Sequence, residues 1–283
     1  MIASLWGKEG TGKTSAALTF PKPMFHMELD IGGFERAAWR LPKETRIKQC
    51  EPREDISKTE WTKFDIVTKP YLVPIQMDKL LGAQEIQDSG KVTVRFPRQV
   101  VGVKELWEEI VIDFVAVCQA PPIRTIVIDS ATQMWWICHT GHLQDKQEIQ
   151  LAKGMKTSDD KFREKLQPVE FPNDKMRNVI YLAKSCGKTL LMTHYPKDDY
   201  AERVGPNGVE SYRTGTISPD GFKGTTIIDD VVFWTYVDKN NKPYAKIDIK
   251  CALPGMGMTA VGLELPTPDY AGLLQLQSML RGE

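Results

Sequence analysis

The stretch Gly7-Lys8-Glu9-Gly10-Thr11-Gly12-Lys13-Thr14 fits GxxxxGKT at every fixed position. It follows the apolar run Ile2 to Trp6 and precedes Ser15-Ala16-Ala17-Leu18, so it reads as the loop between a first strand and a helix. Glycines let the backbone curve tightly enough for several N–H groups to point at phosphate oxygens. The start of the following helix adds donors and a favourable dipole. Gly7, Lys8, Glu9, Gly10, Thr11, Gly12, Lys13, Thr14 and Ser15 are therefore the expected binding segment for a nucleoside triphosphate, ATP with Mg²⁺. Lys13 is expected to reach the β and γ phosphates, and the Thr14 hydroxyl to ligate the metal.

Outward from this loop, the informative residues are acids at strand ends. Thr125-Ile126-Val127-Ile128-Asp129 is a compact apolar strand closed by a carboxylate. A carboxylate there can hold Mg²⁺ directly or through water, whereas a buried unpaired one would be costly. Pro23 to Leu29 reads as a second strand, and Glu28 and Asp30 flank its exit on the same side. Either is a candidate to orient and deprotonate an attacking water; helix capping beside Gly32-Gly33 is the plainer alternative. His194 closes a further strand, Leu190-Leu191-Met192-Thr193-His194. It is a candidate to touch the γ phosphate or to pass nucleotide state into the loop that follows, set against an ordinary hydrogen-bonded core histidine. His26, His139, His142 and His194 form no zinc pattern.

The strands alternate with helical patterns. Phe34 to Leu41 is a short helix, and Lys104 to Cys118 repeats Leu106, Ile110, Phe114 and Val117 at helical spacing. Met176 to Ala183 resumes that period, and Ile227 to Val237 with Tyr244 to Ile249 extends the sheet. Apolar strands between helices predict a covered, largely parallel sheet in a single domain over 1–283. Residues 42–100 are expected to decorate that core, with short strands at Phe64 to Val67 and Val92 to Phe96. Residues 139–172 are polar; they could hold helical pieces but interrupt the core periodicity and read as an excursion or mobile loop, and 196–224, rich in turn residues, read as a long loop or small hairpin.

Composition limits the function. Hydrophobic residues make up 41% and charged residues 26%, which suits a globular protein with a real core rather than a disordered one. Lys plus Arg and Asp plus Glu both number 37, so any nucleic-acid binding has to come from local loops and not from a basic shell. Five widely spaced cysteines without a CxxC pair point to reduced thiols. No run approaches the roughly 18 apolar residues of a membrane span, and MIASLWG is too short for a signal peptide. The expected location is cytoplasmic, with no membrane partner.

Taken together, the GKT loop, the acid-bearing second strand, TIVIDS and LLMTH resemble the RecA-like ATPases, most nearly the small phage-encoded recombination ATPases of that group. The resemblance runs discontinuously from Met1 to Tyr195 and implies an α/β fold, a RecA-like P-loop NTPase core with a mostly parallel central sheet flanked by helices. It implies that Asp129 is the second Mg²⁺-associated acid and that Asp30 matches the catalytic carboxylate position better than Glu28. It places His194 where that family commonly carries a polar sensor of nucleotide state. It also implies a homo-oligomer, ring or filament, with single-stranded DNA held by the two polar loops, and, if the chain is phage-encoded, a place in the host cytoplasm. Lys153, Lys156, Lys161, Arg163, Lys165, Arg203 and Arg213 are the candidate phosphate contacts, and Tyr200 or Tyr212 the candidate stacking rings. Asp159, Asp160, Asp198 and Asp199 work against them. Lys223, Lys239 or Lys242 is the candidate for insertion into a neighbouring subunit's site.

The function expected on these grounds is Mg²⁺-dependent ATP hydrolysis coupled to single-stranded DNA binding in recombination, repair or replication. Two alternatives use the same loop: an ATP-dependent assembly switch with little turnover, and a small-molecule kinase.

Overall fold

Successive residues of the central strands feed two different cores. Ile2 points to one and Ala3 and Leu5 to the other; Ile126 and Ile128 oppose Val127; Leu190 and Met192 oppose Leu191. A strand can bury both faces only when helices cover the sheet on each side, and that is the architecture of the computed structural model, which describes residues 1–75, 83–86, 92–95, 100–154, 170–205 and 208–282.

The strands are β1 (Ile2–Trp6), β2 (Met24–Glu28), β3 (Ile47–Gln49), β4 (Ile66–Pro70), β5 (Ala83–Ile86), β6 (Val92–Arg95), β7 (Thr125–Asp129), β8 (Thr189–His194), β9 (Pro196–Gly205), β10 (Gly208–Pro219), β11 (Val231–Val237) and β12 (Pro243–Cys251). The helices are α1 (Lys13–Ala17), α2 (Gly33–Ala38), α3 (Val103–Gln119), α4 (Ala131–Ala152), α5 (Glu170–Ser185), α6 (Thr225–Ile228) and α7 (Tyr270–Arg281). The main sheet has eight strands in the order β12-β11-β1-β8-β7-β2-β4-β3, all parallel except β12. Buried residues of α3, α4 and α5 pack one face; those of α1, α2 and α7 pack the other. The mostly parallel, helix-flanked α/β sheet expected from the sequence is the fold of the chain.

Three stretches differ from the sequence reading or refine it. Residues 42–100 contribute β3 and β4 to the main sheet, and Phe64 to Val67 enters β4 only at Ile66. Over His139 to Ala152 the chain stays helical as part of α4, with His142, Gln144 and Gln147 buried, while 155–169 of this stretch lie outside the described residues. The two glutamines are inside because they serve the backbone at the start of α3. Gln144 Oε1 accepts from the Val103 and Lys104 N–H groups at 2.8 and 3.0 Å, and Gln147 Oε1 accepts from Val100 N–H at 2.9 Å. Gly141 lets the two helices touch, since a Cβ there would stand 3.2 Å from the Val103 carbonyl. The turn-rich 196–224 region forms the hairpin β9–β10, paired antiparallel with Tyr200 opposite Arg213, outside the main sheet.

Candidate functional site

Parallel strands end together, so β1, β7, β2 and β8 deliver their last residues to one edge. Beyond β1 the loop turns through Gly10 (φ +76°) and Gly12 (φ +89°) into α1. Gly7 is required for a different reason: a Cβ on it would lie 2.2 Å from the Thr235 carbonyl of β11. Thr235 also shares a 2.7 Å hydrogen bond with Thr11 and donates to the Trp6 carbonyl at 3.2 Å, so β11 holds the loop from beneath.

Lys13 is buried, and its ammonium donates to the Gly7 and Lys8 carbonyls at 2.9 and 2.8 Å. Burial draws its pKa down, against the opposing charges of Asp129, Asp30 and Glu9. The Thr14 hydroxyl donates to Asp129 Oδ2 at 2.6 Å. Thr193 donates to the other oxygen of Asp129, and His26 Nε2 lies 3.4 Å from Oδ2. Burial alone would raise the Asp129 carboxyl, but the bond and charge of His26, with the two threonine hydroxyls, hold it below the ordinary aspartate value. It is an ionised, oriented acceptor beside the loop.

Asp30, Asp129, Lys13 and Thr14 line one cavity of about 230 Å³. Arg36, Arg40 and Tyr195 line it as well, and the sequence reading missed all three. The two arginines, four apart just after Gly32-Gly33, are a pattern that could have found them; Tyr195 and the Asp129-orienting His26 are neighbours only in space. Tyr195 hydrogen-bonds Asp30 through its phenol, and its ring centroid lies 5.1 Å from Lys13 Nζ.

The other candidates are placed differently. Glu28 is buried, and its Oε1 accepts from Phe34 N–H at 3.0 Å, fastening the turn into α2; it does not line the cavity. His194 is buried too. Its Nδ1 is 2.9 Å from the Asp220 carbonyl, which can only accept, so Nδ1 carries the proton and Nε2 accepts from Ser4 Oγ at 3.2 Å. Both ring nitrogens are engaged within the protein, and burial depresses the imidazole pKa to about 4.

Of the candidate polymer contacts, Arg203, Arg213, Tyr200 and Tyr212 stand exposed on the hairpin, and Lys153 is exposed at the end of α4. Lys156, Lys161, Arg163 and Lys165, with Asp159 and Asp160, lie outside the described residues. Arg213 is bound to Tyr200 and Asp198. Lys223, Lys239 and Lys242 are exposed, and none lines this cavity of its own chain.

No family model matches the chain, and no curated protein matches it. Among solved structures the chain is similar to a KaiC-like protein, PH0186, from the hyperthermophilic archaeon Pyrococcus horikoshii OT3. The likeness covers 87% of this chain and 77% of that one at 13% identity, with a TM-score of 0.40. Similarity at that level says nothing of activity, and it gives no support to the narrower likeness to phage recombination proteins. The fold rests on the sheet order itself. Among the described residues no group of three or more His, Cys, Asp or Glu is arranged to hold a metal, and no helix is long and apolar enough to cross a membrane.

Proposed function

We propose that the chain binds ATP with Mg²⁺ and hydrolyses it, and that the β9–β10 hairpin couples this to single-stranded DNA. One observation carries the reading: Lys13, Thr14, Asp30 and Asp129, from three separate strand ends, line the same cavity.

The residues fit a hard divalent cation. Thr14 and Asp129 offer a hydroxyl and a carboxylate oxygen side by side, and Gly33 keeps the space next to them free: a Cβ there would stand 3.5 Å from Asp129 Oδ2 and 3.9 Å from Thr14 Oγ1. Bound Mg²⁺ supplies neutralisation of phosphate charge and polarisation of the phosphoryl group. Lys13, already desolvated and held by two loop carbonyls, exchanges them for β and γ phosphate oxygens. Arg36 and Arg40 add guanidinium donors at the cavity wall. Asp30, with one oxygen on the Tyr195 phenol, presents the other to an attacking water and takes its proton. A second cleft of about 370 Å³ shares Gly12, Ser15, Ala37 and Arg40 with the first and is walled by Leu41, Pro42, Pro243 and Pro268. It is an apolar slot beside the phosphates, suited to the base.

The hairpin supports the DNA part. It presents Tyr200 and Tyr212 at 58% and 45% exposure, with Arg213 and Arg203 within 6.0 and 5.6 Å of the respective ring centroids. Rings and guanidinium groups together suit a strand that stacks and carries phosphate. The hairpin also begins directly at the phosphate cavity, since Tyr195 lines that cavity and Pro196 opens β9. Assembly of several copies is part of the same reading, with Lys223, Lys239 or Lys242 reaching a neighbour's phosphates.

The test is phosphate release from ATP by the purified chain with Mg²⁺, with and without single-stranded DNA. The expected result is DNA-stimulated turnover that falls at least about a hundredfold in Lys13→Ala, on the scale of losing an electrostatic transition-state contact. ATP binding without turnover would favour the assembly switch, and a stable phosphorylated small molecule would favour the kinase.

A further inference from the structure

Tyr195 is the residue of the cavity that neither the GKT loop nor the acids account for. It follows β8 immediately, and its backbone is held on both sides: its N–H donates to Thr132 Oγ1 at 3.2 Å, and its carbonyl accepts from Asp220 N–H at 2.7 Å. Thr132 in turn donates to the Asp220 carbonyl at 3.0 Å, so α4 and the far end of the hairpin fix the position from which the ring projects. The side chain then makes two contacts, with its face toward Lys13 and its hydroxyl on Asp30.

Aspartate is one methylene shorter than glutamate and, half-buried just past the end of β2, still has two side-chain torsions to turn about. A carboxylate left that way spends most of its time off the line of attack, and misplacement by about 1 Å can cost about a hundredfold in rate. A donor anchored at a third point removes that freedom. Burial first, then the Asp30 hydrogen bond and charge, push the phenol pKa well up, so the hydroxyl stays a proton donor and never a competing base.

We propose that Tyr195 is a positioning residue for hydrolysis, holding one oxygen of Asp30 so that the other faces the attacking water. This rests on the ATPase reading given above. Its two contacts divide the expected effects, because the ring meets the lysine that binds phosphate and the hydroxyl meets the acid that prepares water.

The experiment compares wild type, Tyr195→Phe, Asp30→Asn and the double variant in nucleotide affinity, from titration with a fluorescent ATP analogue, and in kcat for ATP with Mg²⁺. Tyr195→Phe keeps the ring over Lys13 and so binds nucleotide within about twofold of wild type, while kcat falls by about tenfold or more. Asp30→Asn lowers kcat further, and adding Tyr195→Phe to it changes nothing more, because the hydroxyl has lost the group it positions. Wild-type kcat in Tyr195→Phe, or losses that multiply in the double variant, would overturn the proposal while leaving the ATPase reading intact. If Tyr195→Phe does not fold alone, the double variant, in which no carboxylate is left without its phenol, decides by comparison with Asp30→Asn: an added kcat loss there overturns the proposal, and none upholds it. A wild-type chain that binds ATP and never turns it over removes the ATPase reading and this proposal with it.

Discussion

Ser4 sits between two buried groups that titrate in opposite senses. Its hydroxyl bonds the His194 ring, and Asp229 is buried with neither carboxylate oxygen hydrogen-bonded. Burial raises the Asp229 carboxyl to about 7, while burial lowers His194 to about 4. An unfolded histidine binds a proton below its ordinary 6.5 that the folded one refuses, so His194 removes stability as pH falls from 6.5 toward 4. Asp229 does the reverse: unfolded, it loses its proton near 3.8, folded it keeps it, and stability is lost as pH rises through 7. The two slopes oppose each other in wild type. Asp229→Asn is therefore expected to make stability rise with pH between 4 and 6.5, and His194→Gln to make it fall over pH 4 to 7, each by on the order of a few kcal/mol. Urea midpoints across that range measure it; parallel profiles for all three proteins would refute the opposition. None of this balance could be read from the chain, because Ser4, His194 and Asp229 are far apart in sequence. Lys13, Thr14 and Asp129 were legible because each belongs to a local strand-to-loop pattern. Tyr195 and His26 carry no pattern, and they stand out only through what they touch.

Elements read well where one face was apolar and poorly where polar residues went inside. The periodicities over Lys104 to Cys118 and Met176 to Ala183 correspond to α3 and α5. The end of α4 shows no apolar period in the sequence because its inward positions include Gln144 and Gln147, which are core residues for the sake of backbone N–H groups rather than burial of carbon. The loop from Gly7 to Gly12 shows the same dependence on neighbours. Gly7→Ala sets a methyl group against the backbone of β11 and is expected to cost about 1–3 kcal/mol and to weaken ATP binding, because β11 and the loop must part. Gly10 has the same chemistry and no such neighbour: nothing lies within 4 Å of its added Cβ, so Gly10→Ala bears only the left-handed backbone penalty, about 1 kcal/mol. Thermal melts and nucleotide titrations of the pair check this, and equal effects would contradict the role given to Thr235.

On the scale of the molecule, β1 is central in space and first in sequence. Its neighbours are β8 and β11, residues 189–194 and 231–237, so the strand that launches the phosphate loop pairs with nothing near it in the chain. A fragment ending at Ser185 carries the whole GKT loop and Asp129 and lacks both partners of β1. It is expected to bind no ATP in equilibrium dialysis under conditions where the full chain binds; retained affinity would mean the loop is self-sufficient. The sheet order thus sets a timetable for synthesis. As the polypeptide leaves the ribosome, the glycine loop must wait for more than two hundred further residues before Thr235 arrives beneath it. If the proposed nucleotide reading holds, a nascent chain is expected to be blind to nucleotide until β11 has left the ribosome.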